Sequence, residues 1–138
     1  VKLETGLLVA GEIMQTSILL VEDCPDEAHI VRTELEVLGY SVSVVGDGLA
    51  AVESAAENLP DLIIVDVRLP FMNGLQAAAE IKKNPSTKRI PVLVATANAT
   101  PGEREKCLAA GCDGYIATPF THTQLGMVIE GLLAQPSK

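Results

Sequence analysis

The segment Ile18-Leu19-Leu20-Val21 is apolar at every position and ends abruptly in Glu22-Asp23. A strand with one face in water alternates apolar and polar residues. A short run with no polar position belongs to a strand covered on both faces, as central parallel strands are. The pattern returns at Leu62 to Val65, ending at Asp66, and at Val92 to Ala95, ending at Thr96. A shorter version, Gly114 to Ala117, ends at Thr118. Tyr40 to Val45 reads as one more strand, closed by the turn Gly46-Asp47-Gly48.

Helical patterns fill the gaps between these runs. Pro25 suits a first helical turn, Ala28, Val31, Leu35 and Leu38 follow at helical spacing, and Gly39 is a stop. Leu49 to Glu57 is Ala-rich and helical, and Asn73-Gly74 opens a helix running to about Lys83. Pro101 begins a helix that reaches Ala110, with Gly111 as its stop. Leu125, Val128, Ile129, Leu132 and Leu133 form the stripe of a last helix. Strand–helix alternation of this kind predicts an α/β fold: a (βα)5 chain with a doubly wound five-stranded parallel sheet between two helical layers. Ligands of such sheets bind at the carboxyl ends of the strands. The residues to read are therefore Glu22, Asp23, Asp66, Thr96 and Thr118.

Composition narrows the functions open to this fold. The chain has 138 residues, the length of one domain. Residues 17–135 carry the alternation, and residues 1–16 read as an N-terminal extension with no clear period. Met14 is the expected natural start, which makes residues 1–13 an appended or upstream segment. A net charge of −8 argues against direct nucleic-acid binding, which needs a basic face. With two Tyr, two Phe and no Trp there is no base-stacking platform. No run approaches the ~20 apolar residues of a membrane span, and no signal peptide is recognisable. The three cysteines, Cys24, Cys107 and Cys112, lack zinc-ligand spacing and read as buried small hydrophobes. Their odd count suggests a reducing compartment. These features predict a cytoplasmic location. His29 and His122 have no catalytic partner in the sequence and read as surface residues.

Glu22, Asp23 and Asp66 follow strands that meet in such a sheet. Like charges held together are costly without compensation. A hard divalent cation with oxygen ligands answers that cost, and Mg2+ suits one or two carboxylates completed by water and phosphate oxygens.

Several segments together carry a wider match. Ile-Leu-Leu-Val-Glu-Asp at 18–23, Asp66-Val-Arg-Leu-Pro70-Phe-Met-Asn-Gly74, Ile-Pro-Val-Leu-Val-Ala-Thr-Ala at 90–97 and Ala109 to Ile116 followed by Pro119-Phe120 resemble the receiver domain of two-component response regulators. The resemblance covers about residues 17 to 134. It implies a CheY-like, flavodoxin-like three-layer fold that is not an enzyme on outside substrates. It catalyses only its own phosphorylation and dephosphorylation. By the same resemblance Asp66 is the phosphoacceptor for a phosphohistidine, and Asp23, Asp66 and the main-chain carbonyl of Arg68 hold Mg2+, with Glu22 acting through a water. Thr96 is the switch hydroxyl, Tyr115 the ring that answers it, and the Thr118–Pro119 bond is cis. The implied phosphodonor is a sensor histidine kinase or phosphotransfer protein. The implied output surface lies at about residues 100–134, with a homodimer through the last helix also allowed.

One residue leaves the pattern. The family has Lys directly before Pro-Phe, and Thr118 stands in its place, offering one neutral hydrogen bond and no charge. Losing a preorganised donor at a reacting oxyanion costs on the order of 3 kcal/mol. Arg68, two residues after Asp66, is the candidate for compensation, and Ala97 and Asn98 lie at the same entry. Thr118 also prompts an alternative reading, a degenerate receiver that binds partners without phosphate. An enzyme on the same architecture fits less well. A haloacid-type phosphatase needs an Asp where Arg68 stands, and a flavodoxin needs a hydroxyl-rich loop where Glu22-Asp23-Cys24 stands. No P-loop or dinucleotide glycine motif is present.

Overall fold

The computed structural model describes residues 15–97 and 100–134. Strand β1 (Ser17–Val21) leads to α1 (Pro25–Val37), β2 (Ser41–Val45), α2 (Gly48–Asn58) and β3 (Leu62–Asp66). The second half runs α3 (Gly74–Lys83), β4 (Val92–Thr96), α4 (Pro101–Ala109), β5 (Gly114–Ala117) and α5 (His122–Leu133). All strand pairings are parallel, in the order β2-β1-β3-β4-β5. The order reverses between β1 and β3, so the strands that end in Glu22-Asp23 and Asp66 are neighbours at the switch point. Boundaries agree with the sequence reading to within a residue or two, with β2 starting at Ser41 and β4 reaching Thr96. The expected start at Met14 and the extension up to that residue lie outside the described residues.

Two core clusters explain the unbroken apolar runs. Leu19, Val21, Ile63, Val65, Val92 and Val94 pack with Ala51 and Ala55 of α2, Ala78 and Ile81 of α3 and Cys107 of α4. On the other face, Ile18, Leu20, Leu62, Ile64 and Leu93 pack with Leu35 of α1 and Leu125 and Ile129 of α5. Successive residues of β1, β3 and β4 thus enter opposite cores, and polar residues stand only at the strand ends. Strand β2 has a neighbour on one side alone, and its Ser-Val-Ser-Val-Val sequence alternates accordingly, with Val42 buried and both serines exposed.

Helix starts are capped by their own sequence. Asp47 accepts from the Ala50 N–H at 2.7 Å. Asn73 with Gln76, and Thr121 with Gln124, form capping boxes. Helix α1 has no side-chain cap and relies on Pro25, which has no N–H to satisfy. At the base of the sheet, Lys82 pairs with Asp113 at 2.6 Å and donates to the Ile90 carbonyl at 2.7 Å, while Asp113 accepts from the Val92 N–H at 2.9 Å. These bonds tie the end of α3 to the starts of β4 and β5. The Thr118–Pro119 bond is cis, as the resemblance implies.

Helix α2 ends on Leu59 at φ 46, a left-handed conformation that costs a β-carbon roughly 1–2 kcal/mol. Leu59 is more than half exposed, so its side chain contributes little packing in return. Leu59→Asn should therefore raise the unfolding free energy by about 1 kcal/mol, measured by urea denaturation. An unchanged or lower midpoint counts against a strained cap.

Candidate functional site

The carboxyl edge of the sheet carries a cavity of about 410 Å³. Its walls come from the β1–α1 loop (Glu22, Asp23, Cys24), Glu27 of α1, Asp66 and Arg68, Ala95 and Ala97, and Thr118 and Phe120. Carboxylate oxygens of Glu22, Asp23 and Asp66 lie within 4.8 Å of one another. That spacing follows from topology, since Val21 pairs with Val65 in the β1–β3 ladder and the acids are the next residues along each strand.

Two of the acids are held by the backbone around them. The Arg68 N–H donates to Asp66 Oδ1 at 3.1 Å, and the Cys24 N–H donates to Glu22 Oε2 at 3.1 Å. The loop after Asp66 folds back tightly. The Gly74 N–H donates to the Val67 carbonyl at 2.9 Å, and a β-carbon at Gly74 would collide with the Asp66 carbonyl. Gly74 is thus required by close backbone approach rather than by any chemistry of its own.

Electrostatics shows how crowded the site is. Burial pushes the Glu22 carboxyl up from 4.5 to about 7, the Cys24 N–H bond opposes this, and the Asp66 charge adds to the rise. Burial also raises Asp66 above its ordinary value, and the charges of Asp23 and Glu27 add to the rise. The Arg68 amide bond and then the Arg68 charge pull Asp66 the other way. Arg68 is the one cation among the described residues lining the cavity. Closely set oxygens without cationic partners of their own are the donor set that hard divalent ions select, so the site fits such an ion.

The structure brings Glu22, Asp23, Asp66, Arg68, Ala97 and Thr118 together, as the sequence suggests. Thr96 stands at the end of β4, as expected. Thr96 is 4% exposed and does not line the cavity, whereas its neighbours Ala95 and Ala97 do. The reason is strand periodicity: Ala95 faces the α1/α5 layer, while Thr96 follows Val92 and Val94 toward α3 and α4. Tyr115 packs on that same side and pairs in register with Val94. Its hydroxyl is buried and has no hydrogen-bond partner among the described residues. Asn98 lies outside the described residues. Cys24 is only partly buried and lines the cavity, which corrects its reading as a core residue; Cys107 and Cys112 are buried. His29 and His122 are exposed. Sequence reading passed over Glu27, whose charge acts on both Glu22 and Asp66. The available signal was an acid in the first turn of a helix that starts at the site.

This fold and this acidic edge define a class, the phosphate-handling receivers of two-component signalling, and comparison with known proteins agrees. Residues 18–130 match the family model described as the response regulator receiver domain. The chain is 34% identical over 108 residues to the polar-differentiation response regulator DivK of Brucella anthropi, covering 78% of this chain and 88% of DivK. It is 38% identical, with a TM-score of 0.83, to the receiver domain of the sensor histidine kinase PA1611 from Pseudomonas aeruginosa PAO1, covering 88% of this chain and all of that one. That receiver was crystallised with a magnesium ion coordinated in its active-site cleft. The signal receiver domain of a signal transduction histidine kinase from Syntrophus aciditrophicus is 32% identical, with a TM-score of 0.81 over 89% of this chain and 95% of that chain. This chain belongs to the response regulator receiver domain family. As a member it is a regulatory domain rather than an enzyme acting on outside substrates. No helix among the described residues is long and apolar enough to cross a membrane.

A raised carboxyl in the folded state has a definite sign. Glu22 favours the folded state fully below pH 4.5, and that contribution is lost as the pH climbs to about 7. In metal-free protein the melting temperature should fall between about pH 5 and pH 7.5 more steeply for the natural chain than for Glu22→Gln. Asp66→Ala, which removes one of the crowded charges, should melt higher than the natural chain at pH 7.5. Parallel pH profiles, or a destabilised Asp66→Ala, would contradict this account of the cluster.

Proposed function

We propose that this receiver takes a phosphoryl group on Asp66 from the phosphohistidine of a sensor kinase or phosphotransfer protein, in a Mg2+-dependent step. The observation that supports it most directly is the trio of carboxylates at the switch point, within 4.8 Å of one another. An Asp66 oxygen attacks phosphorus, the P–N bond breaks, and the imidazole leaves with the electron pair and takes a proton. Asp23, Asp66 and the Arg68 carbonyl are the residues to hold Mg2+, with Glu22 acting through a water. The ion, when bound, neutralises charge on the transferring phosphoryl group. Thr118 offers that group one neutral hydrogen bond. Arg68 supplies the positive charge that Thr118 does not, and its forked donors suit phosphate. Ala97 and Asn98 belong to the entry through which the donor arrives.

Thr96 and Tyr115 form the responding pair on the α3/α4 side of the sheet, and the surface at residues 100–134 is the output face. That face is also the place for a second copy to dock through α5. A cytoplasmic site of action accords with its free thiols. Thr118 also favours the second reading, a receiver that signals through partner binding alone.

Phosphoramidate with Mg2+ should add one phosphoryl group, about 80 Da by intact mass, and Asp66→Asn should abolish the gain. Mg2+ should also raise the melting temperature, because it binds the folded state. Arg68→Ala should slow phosphorylation by roughly 10-fold to 100-fold. In a Thr118→Lys background the same change should cost far less, since the cations then substitute for one another. No mass gain with metal binding intact supports the phosphate-independent reading. Additive effects of Arg68→Ala and Thr118→Lys would remove Arg68 from the phosphate site.

A further inference from the structure

Away from the acceptor edge, α4 ends in a turn that joins the backbones of two cysteines. The Cys112 N–H donates to the Cys107 carbonyl at 3.1 Å, the Gly111 N–H donates to the Leu108 carbonyl at 3.0 Å, and Gly111 takes φ 92. These are the paired bonds of a Schellman motif, whose flanking side chains meet across the turn. Here both flanking residues are cysteines. The hydrogen bond between them limits their Cα separation to about 7 Å even if fully extended, which is the outer limit for a disulfide. The curl of the turn shortens it further. Cys107 is 1% exposed and Cys112 7% exposed, and both lie in the cluster with Ile81, Val92 and Val94. Both also line a cavity of about 340 Å³ shared with Arg104 and Tyr115, which is large enough to admit a small oxidant.

We propose that Cys107 and Cys112 are a redox modification site, closed by a peroxide to an intramolecular disulfide and reopened by a thiol. The step balances with hydrogen peroxide alone. The Cys107 sulfur attacks a peroxide oxygen, the O–O bond breaks, and one water leaves with a sulfenic acid formed. The Cys112 sulfur then displaces the sulfenic oxygen as a second water, and the S–S bond forms. The two sulfurs together lose two electrons and the peroxide gains them. Burial pushes the Cys112 thiol up to about 12, and burial, with the Glu103 charge beside it, raises Cys107 too. The first attack is placed at Cys107, and it is slow beside that of an exposed thiolate. Such a bond fastens the end of α4 to the approach to β5, on the wall of the cavity that Tyr115 shares. Disulfides in reducing compartments are mostly transient and redox-sensing, and this pair fits that use. The proposal does not depend on Asp66 being phosphorylated.

The test uses the full chain carrying Cys24→Ser, so that Cys107 and Cys112 are its only thiols. Hydrogen peroxide at neutral pH should lower the intact mass by about 2 Da per chain, without covalent dimers, and dithiothreitol should restore it. Adding Cys112→Ala should change the product to a gain of about 16 Da that dimedone traps. An unchanged mass, oxygen additions alone, or disulfide-linked dimers in the Cys24→Ser chain overturn the proposal.

Discussion

Repulsion among Glu22, Asp23 and Asp66 is the constraint around which the rest is arranged. Three carboxylates within 4.8 Å would separate if their strands were free to slide. They are not free, because β1 and β3 are buried on both faces. A one-residue slip would exchange the side chains that enter the two cores. The apolar interior therefore holds the charges where electrostatics alone would not. Burial first, and the neighbouring charges after it, raise the carboxyls of Glu22 and Asp66. A site built this way binds a cation readily, since the ion relieves a penalty that folding has already imposed.

The same two-sided sheet divides the candidate residues between its faces. Glu22, Asp66 and Thr118 border the cavity that Leu20, Ile64 and Ala95 line on the α1/α5 side. Thr96 and Tyr115 belong to the other side, with α3 and α4. The two sides are joined through the backbone, where the Thr118 N–H donates to the Thr96 carbonyl at 2.9 Å. Events at the acceptor edge and the α4–β5 surface thus share one strand end. The thiol pair at the end of α4 borders the same surface, next to the Tyr115 ring.

The Lys82–Asp113 contact shows how far sequence reasoning reaches. Asp113 stands in the segment that carries the family resemblance, and Lys82 reads as one of two lysines ending a helix. Nothing local says that Lys82 reaches an acid beyond β4 and α4 in the chain, or that it meets the Ile90 carbonyl as well. Helical propensity accounts for a cation in the last turn of α3, where it suits the dipole. The choice of Lys82 over Lys83 comes from the direction each side chain takes once α3 lies on the sheet. The side of the sheet that Thr96 takes is a similar case. Position along the chain put it beside Ala95 and Ala97, and pleating turned it to the opposite face.

What the sequence determined on its own was the order of strands and helices, their parallel pairing and the edge that carries the chemistry. The physical reason is periodicity: unbroken apolar runs suit strands covered twice, and spaced apolar positions suit helices covered once. The acids were legible because ligands gather at the carboxyl ends of parallel strands, so three carboxylates there had to meet. Tertiary structure alone decided which face each side chain takes and what stands beside it. It brought Glu27 to bear on Glu22 and Asp66, put Tyr115 on the α3/α4 side of the sheet, and bonded the Cys112 N–H to the Cys107 carbonyl. Such contacts depend on how helices dock on a twisted sheet and how a capped turn curls, and no residue pattern carries that information before the layers are assembled.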